Sequence, residues 1–209
     1  MKQSHFAFII ACCILYTFRS DMLNPAAEIL KLGEGCPTNI SGLSNFTLDE
    51  LSGLYSAAAA LSNSDGSRDY CYKMCFQQVN NDRTDVRVAA KKGYFRVPWS
   101  VDLRFQRTSD NGTFEMRTSL TGFLTLGEAY ILSNSSTVLY YSCRNDLLGS
   151  YREALVLSKN ETTNLSAEDL QAAKDVLKAQ NLDFGLMKTV DQSRETCSGL
   201  TRFYNMCSQ

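Results

Sequence analysis

Residues Val101–Leu120 read VDLRFQRTSDNGTFEMRTSL, two alternating runs joined by Asp110-Asn111-Gly112-Thr113. Asn-Gly accepts the positive φ values of a type I′ turn, and between alternating hydrophobics it is the strongest short-range hairpin signal. With those two residues as the loop, paired positions sum to 223, so Phe105 faces Thr118 and Leu103 faces Leu120. One face then carries Val101, Leu103, Phe105, Phe114, Met116 and Leu120, and the other Asp102, Arg104, Gln106, Glu115 and Arg117. Such alternation fits a wall that is apolar inside and solvated outside, in a sandwich or in a barrel.

Working outward, strand-like runs lie near Gly53–Leu61, Tyr70–Asn80, Asp85–Phe95, Ser100–Thr108, Thr113–Leu120, Glu128–Ser133, Thr137–Arg144 and Tyr151–Ser158. Eight short strands separated by turn residues predict an all-β sandwich or up-and-down barrel. One helix follows. Ser166 with Asp169 forms a capping-box-like start, and Leu170, Ala173, Val176 and Leu177 share a face through Asn181. A last strand is expected at Phe184–Val190, and Trp99 after Pro98 is expected at a barrel end, as rim or plug.

The 209 residues suit one domain, and 21 basic against 22 acidic residues leave no basic patch for nucleic acid. Lys2 precedes a 13-residue apolar run, Phe6–Phe18, shorter than the roughly 20 residues a membrane-spanning helix needs. We read residues 1–20 as a signal peptide, 21–35 as a short N-terminal segment, 36–198 as the β domain with its helix and 199–209 as a tail. Removing residues 1–20 leaves a net charge of −3 and discards His5, the one histidine. Histidine-based triads and His-ligated metal sites are thereby excluded from the mature chain.

Six cysteines remain: Cys36, Cys71, Cys75, Cys143, Cys197 and Cys207. An even count in a secreted chain argues for three disulfides over zinc, although six cysteines allow 15 pairings. Sequons at Asn39, Asn45, Asn111, Asn134, Asn160 and Asn164 predict glycosylation and passage through the endoplasmic reticulum. That route serves export and equally a plastid lumen reached by the secretory path.

The segment Phe46-Thr-Leu-Asp-Glu-Leu-Ser-Gly53-Leu-Tyr55 resembles the opening motif of lipocalins, with Tyr55 in place of the usual Trp and Lys159 in place of the Arg that packs on it. The resemblance implies an eight-stranded antiparallel barrel with a C-terminal helix. It also implies a Cys36–Cys143 bridge, Cys71 or Cys75 paired with Cys197, and the remaining one with Cys207. The second half is similar to the lipocalin domain of violaxanthin de-epoxidase, in Leu139-Tyr-Tyr-Ser-Cys-Arg-Asn-Asp146, Glu153-Ala-Leu-Val-Leu-Ser-Lys159 and Glu195-Thr-Cys197. Thr108-Ser-Asp-Asn-Gly112 resembles a stretch of that family whose Asp is implicated in catalysis. No cysteine-rich module precedes Cys36, and no matching Tyr lies between Leu120 and Ala129.

Three functions follow. The first is a secreted carrier of a small hydrophobic ligand such as a lipid, retinoid or carotenoid, with no cofactor. Its pocket is expected from Tyr55, Leu103, Phe105, Met116, Leu120, Tyr140, Glu153 and Leu155, with Tyr141 and Tyr151 as further candidates. Glu153 faces inward if Ala154, Val156 and Ser158 face out, and the opposite facing is equally compatible. The second, implied by the resemblance, is an oxidoreductase acting on an epoxy-carotenoid, with Asp110 as general acid and ascorbate as external reductant. Asp before Asn-Gly is also what a hairpin turn prefers. The third is a protein-interaction module whose barrel is filled.

Overall fold

The computed structural model describes residues 29–32, 35–61, 70–92, 96–109, 111–119, 124–146, 149–159, 165–182, 187–200 and 207. The signal-peptide reading, Asp110, Leu120, Asn160 and Asn164 lie outside them. The elements in chain order are β1 (Ile29–Leu32), α1 (Leu48–Leu51), β2 (Gly53–Leu61), β3 (Tyr70–Asn80), β4 (Arg83–Lys92), β5 (Val97–Arg107), β6 (Thr113–Thr118), β7 (Thr125–Asn134), β8 (Val138–Asp146), β9 (Gly149–Ser158), α2 (Ala167–Ala179) and β10 (Met187–Thr189). Strands β2 to β9 pair antiparallel in chain order, and β9 returns to β2, which closes an eight-stranded barrel. Closure leaves the barrel strands with few open edges, which a sandwich does not achieve.

The β5–β6 hairpin has the expected faces but a different register. Leu103 pairs with Thr118 and Phe105 with Met116, so positions sum to 221 rather than 223. A two-residue offset preserves facing, because side chains alternate with a period of two. The reason is tertiary. Gly112 donates its N–H to the Leu43 carbonyl (2.9 Å) and accepts from the Ile131 N–H (2.7 Å), so it is spent as a sheet-like residue and not as a turn. Neither Asn111 nor Gly112 has a positive φ, which rules out the type I′ turn. A Cβ on Gly42 would stand 2.5 Å from the Gly112 carbonyl carbon, so glycine is needed there for close backbone approach.

Strands β2 and β3 run as expected, while β4 and β5 start earlier, at Arg83 and Val97, and β7 extends over Thr125–Asn134. The 21–35 segment contributes β1, whose Ile29–Leu32 pair with Arg152–Gly149 of β9. The expected strand at Phe184–Val190 is described only as β10, Met187–Thr189.

That short strand enters the barrel wall. β2 pairs with β3 through Gly53–Ser56, and further along Ala59–Leu61 pairs instead with Thr189–Met187. The Cys71 N–H donates to the Asp191 carbonyl, and the Gln192 amide donates to the carbonyls of both Ala57 and Tyr72, at 2.9 and 3.1 Å. The C-terminal segment therefore satisfies backbone groups that splaying of β2 from β3 would leave unpaired. The three disulfides are Cys36–Cys143, Cys71–Cys197 and Cys75–Cys207, and the last two anchor this segment to β3.

One end of the barrel is filled. Phe46, Tyr55, Phe76, Phe105 and Phe114 interlock there, with Tyr55–Phe76 (5.6 Å) and Phe76–Phe105 (6.2 Å) edge to face. α1 closes this end with buried Leu48 and Leu51, and Arg107 donates to the Phe46 carbonyl at 2.8 Å. The Lys159 ammonium sits 5.3 Å from the Tyr55 ring centroid, a cation-π contact with both residues changed from the lipocalin pair.

Burial pushes the Tyr55 phenol from 10.0 up to about 12, with the Glu50 carboxylate adding to the shift. Burial also raises Tyr130 and Tyr141, which stack on the outer face at 5.8 Å. These phenols hold their protons more tightly in the native than in the unfolded chain. Their contribution is therefore intact below pH 10 and is lost as pH rises above it, through about 12 in the case of Tyr55. The denaturation midpoint is expected to fall across that interval, in step with phenolate absorbance, and Tyr141→Phe is expected to flatten the fall.

Candidate functional site

The other end of the barrel, where β2, β4, β6 and β8 finish, holds a cavity. Its wall is Tyr72 and Met74 from β3, Val88 from β4, Val101 and Leu103 from β5, Met116 from β6 and Leu126 from β7, then Ser142 and Arg144 from β8 and Tyr151 and Glu153 from β9. Period-two alternation places these side chains inward, apart from Leu126, which is out of phase with Gly127 and Ala129 and lies at the register irregularity between Met116 and Arg117. The floor is Tyr140, whose hydroxyl donates to Met116 Sδ (3.4 Å) and whose ring stacks on Phe105 at 6.2 Å. The cavity has a volume of about 60 Å³ and is open to solvent at the barrel mouth.

Four of the expected pocket residues, Leu103, Met116, Tyr140 and Glu153, line this cavity. Tyr55, Phe105 and Leu155 face inward but do not line it. They are at most 2% exposed and belong to the packed aromatic layer beneath. Tyr141 is a further correction: it pairs with Tyr130 and faces outward. Tyr151, a further candidate, also lines it, and Tyr72, Met74, Val88, Val101, Leu126, Ser142, Cys143 and Arg144 complete the lining without having been singled out as pocket residues. Val101 was legible from the hairpin alternation. The β3 residues were not, because both faces of that strand are buried.

The inward facing of Glu153 is settled by register, since it pairs with Ser142, and the Ser142 hydroxyl donates to its Oε2 at 3.3 Å. One step nearer the mouth, Arg144 pairs with Tyr151, its guanidinium 4.5 Å from that ring centroid. Trp99 is half-buried at the rim, on the alternation that leads to Val101 and Leu103.

The residues flanking Asp110, Ser109 and Asn111, are hydrogen-bonded to each other at the filled end. Four strand residues from Leu103 to Arg107 already separate that tip from the cavity wall by about 13 Å. Of the described sequons, Asn39 and Asn45 are exposed. Asn111 and Asn134 are half-buried, the latter donating to Glu50 at 2.8 Å. Among the described residues no cluster of metal-ligating side chains forms, and no helix is long and apolar enough to cross a membrane.

No protein-family model matches the chain, and no curated protein matches it in sequence. Solved structures do. Insecticyanin from the tobacco hornworm Manduca sexta superposes with a TM-score of 0.57 at 16% identity, over 81% of this chain and 93% of its own. The siderocalin Ex-FABP gives 0.53 at 14%, over 68% and 94%, and lobster apocrustacyanin A1 gives 0.52 at 12%, over 77% and 94%. These are lipocalins, and the fold shared with them is the lipocalin barrel.

Proposed function

We propose that this protein is a secreted carrier that binds a small, largely apolar molecule in the open half of its barrel. The observation that carries this reading is the contrast between the two halves. Five aromatic rings fill one, while the other leaves Met74, Val88, Val101, Leu103, Met116 and Leu126 around open space. An apolar surface kept out of close packing forfeits contacts that a ligand restores. Three disulfides suit an oxidising compartment, and the structural neighbour Ex-FABP is described as functioning through dual ligand specificities. A cavity of about 60 Å³ above the Tyr140 floor suits a short apolar group better than a whole retinoid or carotenoid.

Leu103→Trp tests this by filling the cavity. An environment-sensitive anilinonaphthalene probe is expected to bind the wild type and to lose at least about tenfold in affinity in the variant, with far-ultraviolet circular dichroism unchanged. Equal binding by the two proteins would overturn the reading. In the same preparation, an epoxy-carotenoid with ascorbate at acid pH is expected to stay unreacted. Conversion abolished by Asp110→Asn would instead establish the de-epoxidase function.

A further inference from the structure

Among the described residues three large apolar side chains are exposed, Val79, Val97 and Leu124, at 48%, 57% and 52%. Val79 stands singly at the filled end beside Asn80, Asn81 and Asp82, and a single apolar residue on a surface needs no explanation. The other two lie at the open end, at the start of β5 and just before β7, and each prolongs an apolar row that begins in the cavity. On β5 the row Phe105, Leu103, Val101, Trp99, Val97 passes from buried through half-buried to exposed. Leu124 precedes the cavity residue Leu126 by two positions.

The β5 row leaves the barrel on a supported hairpin. β6 ends at Thr118, opposite Leu103, while β5 stays paired with β4 out to Val97 and Lys92, six residues further and about 20 Å along the strand. On the other face of β4, Ala89 and Lys91 are buried, so protein backs the hairpin. The filled end is chemically different. Asn45, Asn111 and Asn134, each in a sequon, lie there, whereas residues 93–96 and 119–124, which join β4 to β5 and β6 to β7, contain no asparagine. A glycan on any of those three sequons is attached at the end remote from Val97 and Leu124.

Water is a poor neighbour for apolar rows of this kind. A second copy adding a strand along the outer end of β5 would meet Pro98, which has no N–H to give. A bilayer fits both the surface and the cavity behind it, being an apolar phase and a source of apolar ligand. Trp99 stands where the row passes from protein to solvent, and an indole favours the boundary between lipid and water.

We propose that the open end of the barrel docks on a lipid bilayer, with Val97, Trp99 and Leu124 entering the boundary between headgroups and acyl chains, so that an apolar ligand passes between membrane and cavity along the β5 row. The ligand path rests on the carrier reading above.

Trp99 is the one tryptophan of the chain, so its fluorescence reports on this end of the molecule alone. Phosphatidylcholine vesicles are expected to shift its emission to the blue, and phosphatidylcholine brominated near the headgroup end of its acyl chains to quench it. Val97→Asp and Leu124→Asp are each expected to lower vesicle partitioning about tenfold, and Val79→Asp at the filled end to leave it unchanged. Neither Val97 nor Leu124 lines the cavity, so both variants are expected to keep the affinity of the wild type for the anilinonaphthalene probe. A wild type that binds the probe but no vesicles leaves the carrier reading standing and overturns this inference. Partitioning that survives both aspartate variants also overturns it, as does self-association abolished by Val97→Asp in a protein that ignores vesicles. A wild type that takes up no probe overturns the carrier reading and the ligand path with it, whatever the vesicles show.

Discussion

Phe105→Ala is expected to lower unfolding free energy by about 3 to 5 kcal/mol, the range for deleting a buried phenyl ring. Phe105 is fully buried and touches rings on three sides: Phe76, Phe114 and Tyr140, at 6.2, 6.0 and 6.2 Å. Its strand is hydrogen-bonded on both edges, to β4 and to β6, so the backbone is held against collapse into the vacated space. Low collapse places the cost in the upper part of that range. The same deletion removes the layer beneath Tyr140, so the cavity deepens. Urea denaturation measures the first effect. Titration with fatty acids of increasing chain length measures the second: the variant is expected to prefer a longer chain than the wild type does. A loss under about 1 kcal/mol would mean that the filled half is not packed as described.

Removing the Cys71–Cys197 bridge by the double change Cys71→Ala with Cys197→Ala is the other large effect. The bridge spans 126 residues, which in the chain-entropy model is worth about 4 to 5 kcal/mol alone. Cys75–Cys207 closes an overlapping loop of 132 residues, so the increment shrinks to about 2 to 4 kcal/mol. The loss is expected to be local before it is global. Hydrogen exchange should accelerate first at the Val190 and Cys71 amides, which bond to the Ala58 and Asp191 carbonyls. Unchanged protection at those amides would show that the β10 ladder holds the seam without the bridge.

The antiparallel strands were legible in the alternation of Val101–Leu120 and in the spacing of the runs around it, because one-sided burial writes a period of two into each strand, whereas the choice of a barrel over a sandwich came from the resemblance to lipocalins. The helix start was legible too, with the Asp169 N–H bonding to Ser166 Oγ at 3.0 Å. The hairpin register was not, since Gly112 is claimed by Leu43 and Ile131, residues far from it in the chain. β3 hid its cavity face. In Tyr70-Cys-Tyr-Lys-Met-Cys-Phe76 the outward residues are as buried as the inward ones: Cys71 and Cys75 are bridged, and Lys73 lies beneath the fold with its ammonium bonded to Ser56 Oγ at 2.7 Å. Alternation identified which side chains point inward but not how deep the packed layer rises. That depth depends on five rings meeting from four separate segments, which is why Tyr55, Phe105 and Leu155 were expected to line a pocket that begins one layer above them.

Native mass spectrometry of the oxidised protein most directly tests the proposal that the open half of the barrel holds a ligand. A one-to-one adduct with a small organic-extractable molecule is expected in the wild type and is expected to be missing from Leu103→Trp. Wild-type protein that carries no adduct and takes up no anilinonaphthalene probe would contradict the account.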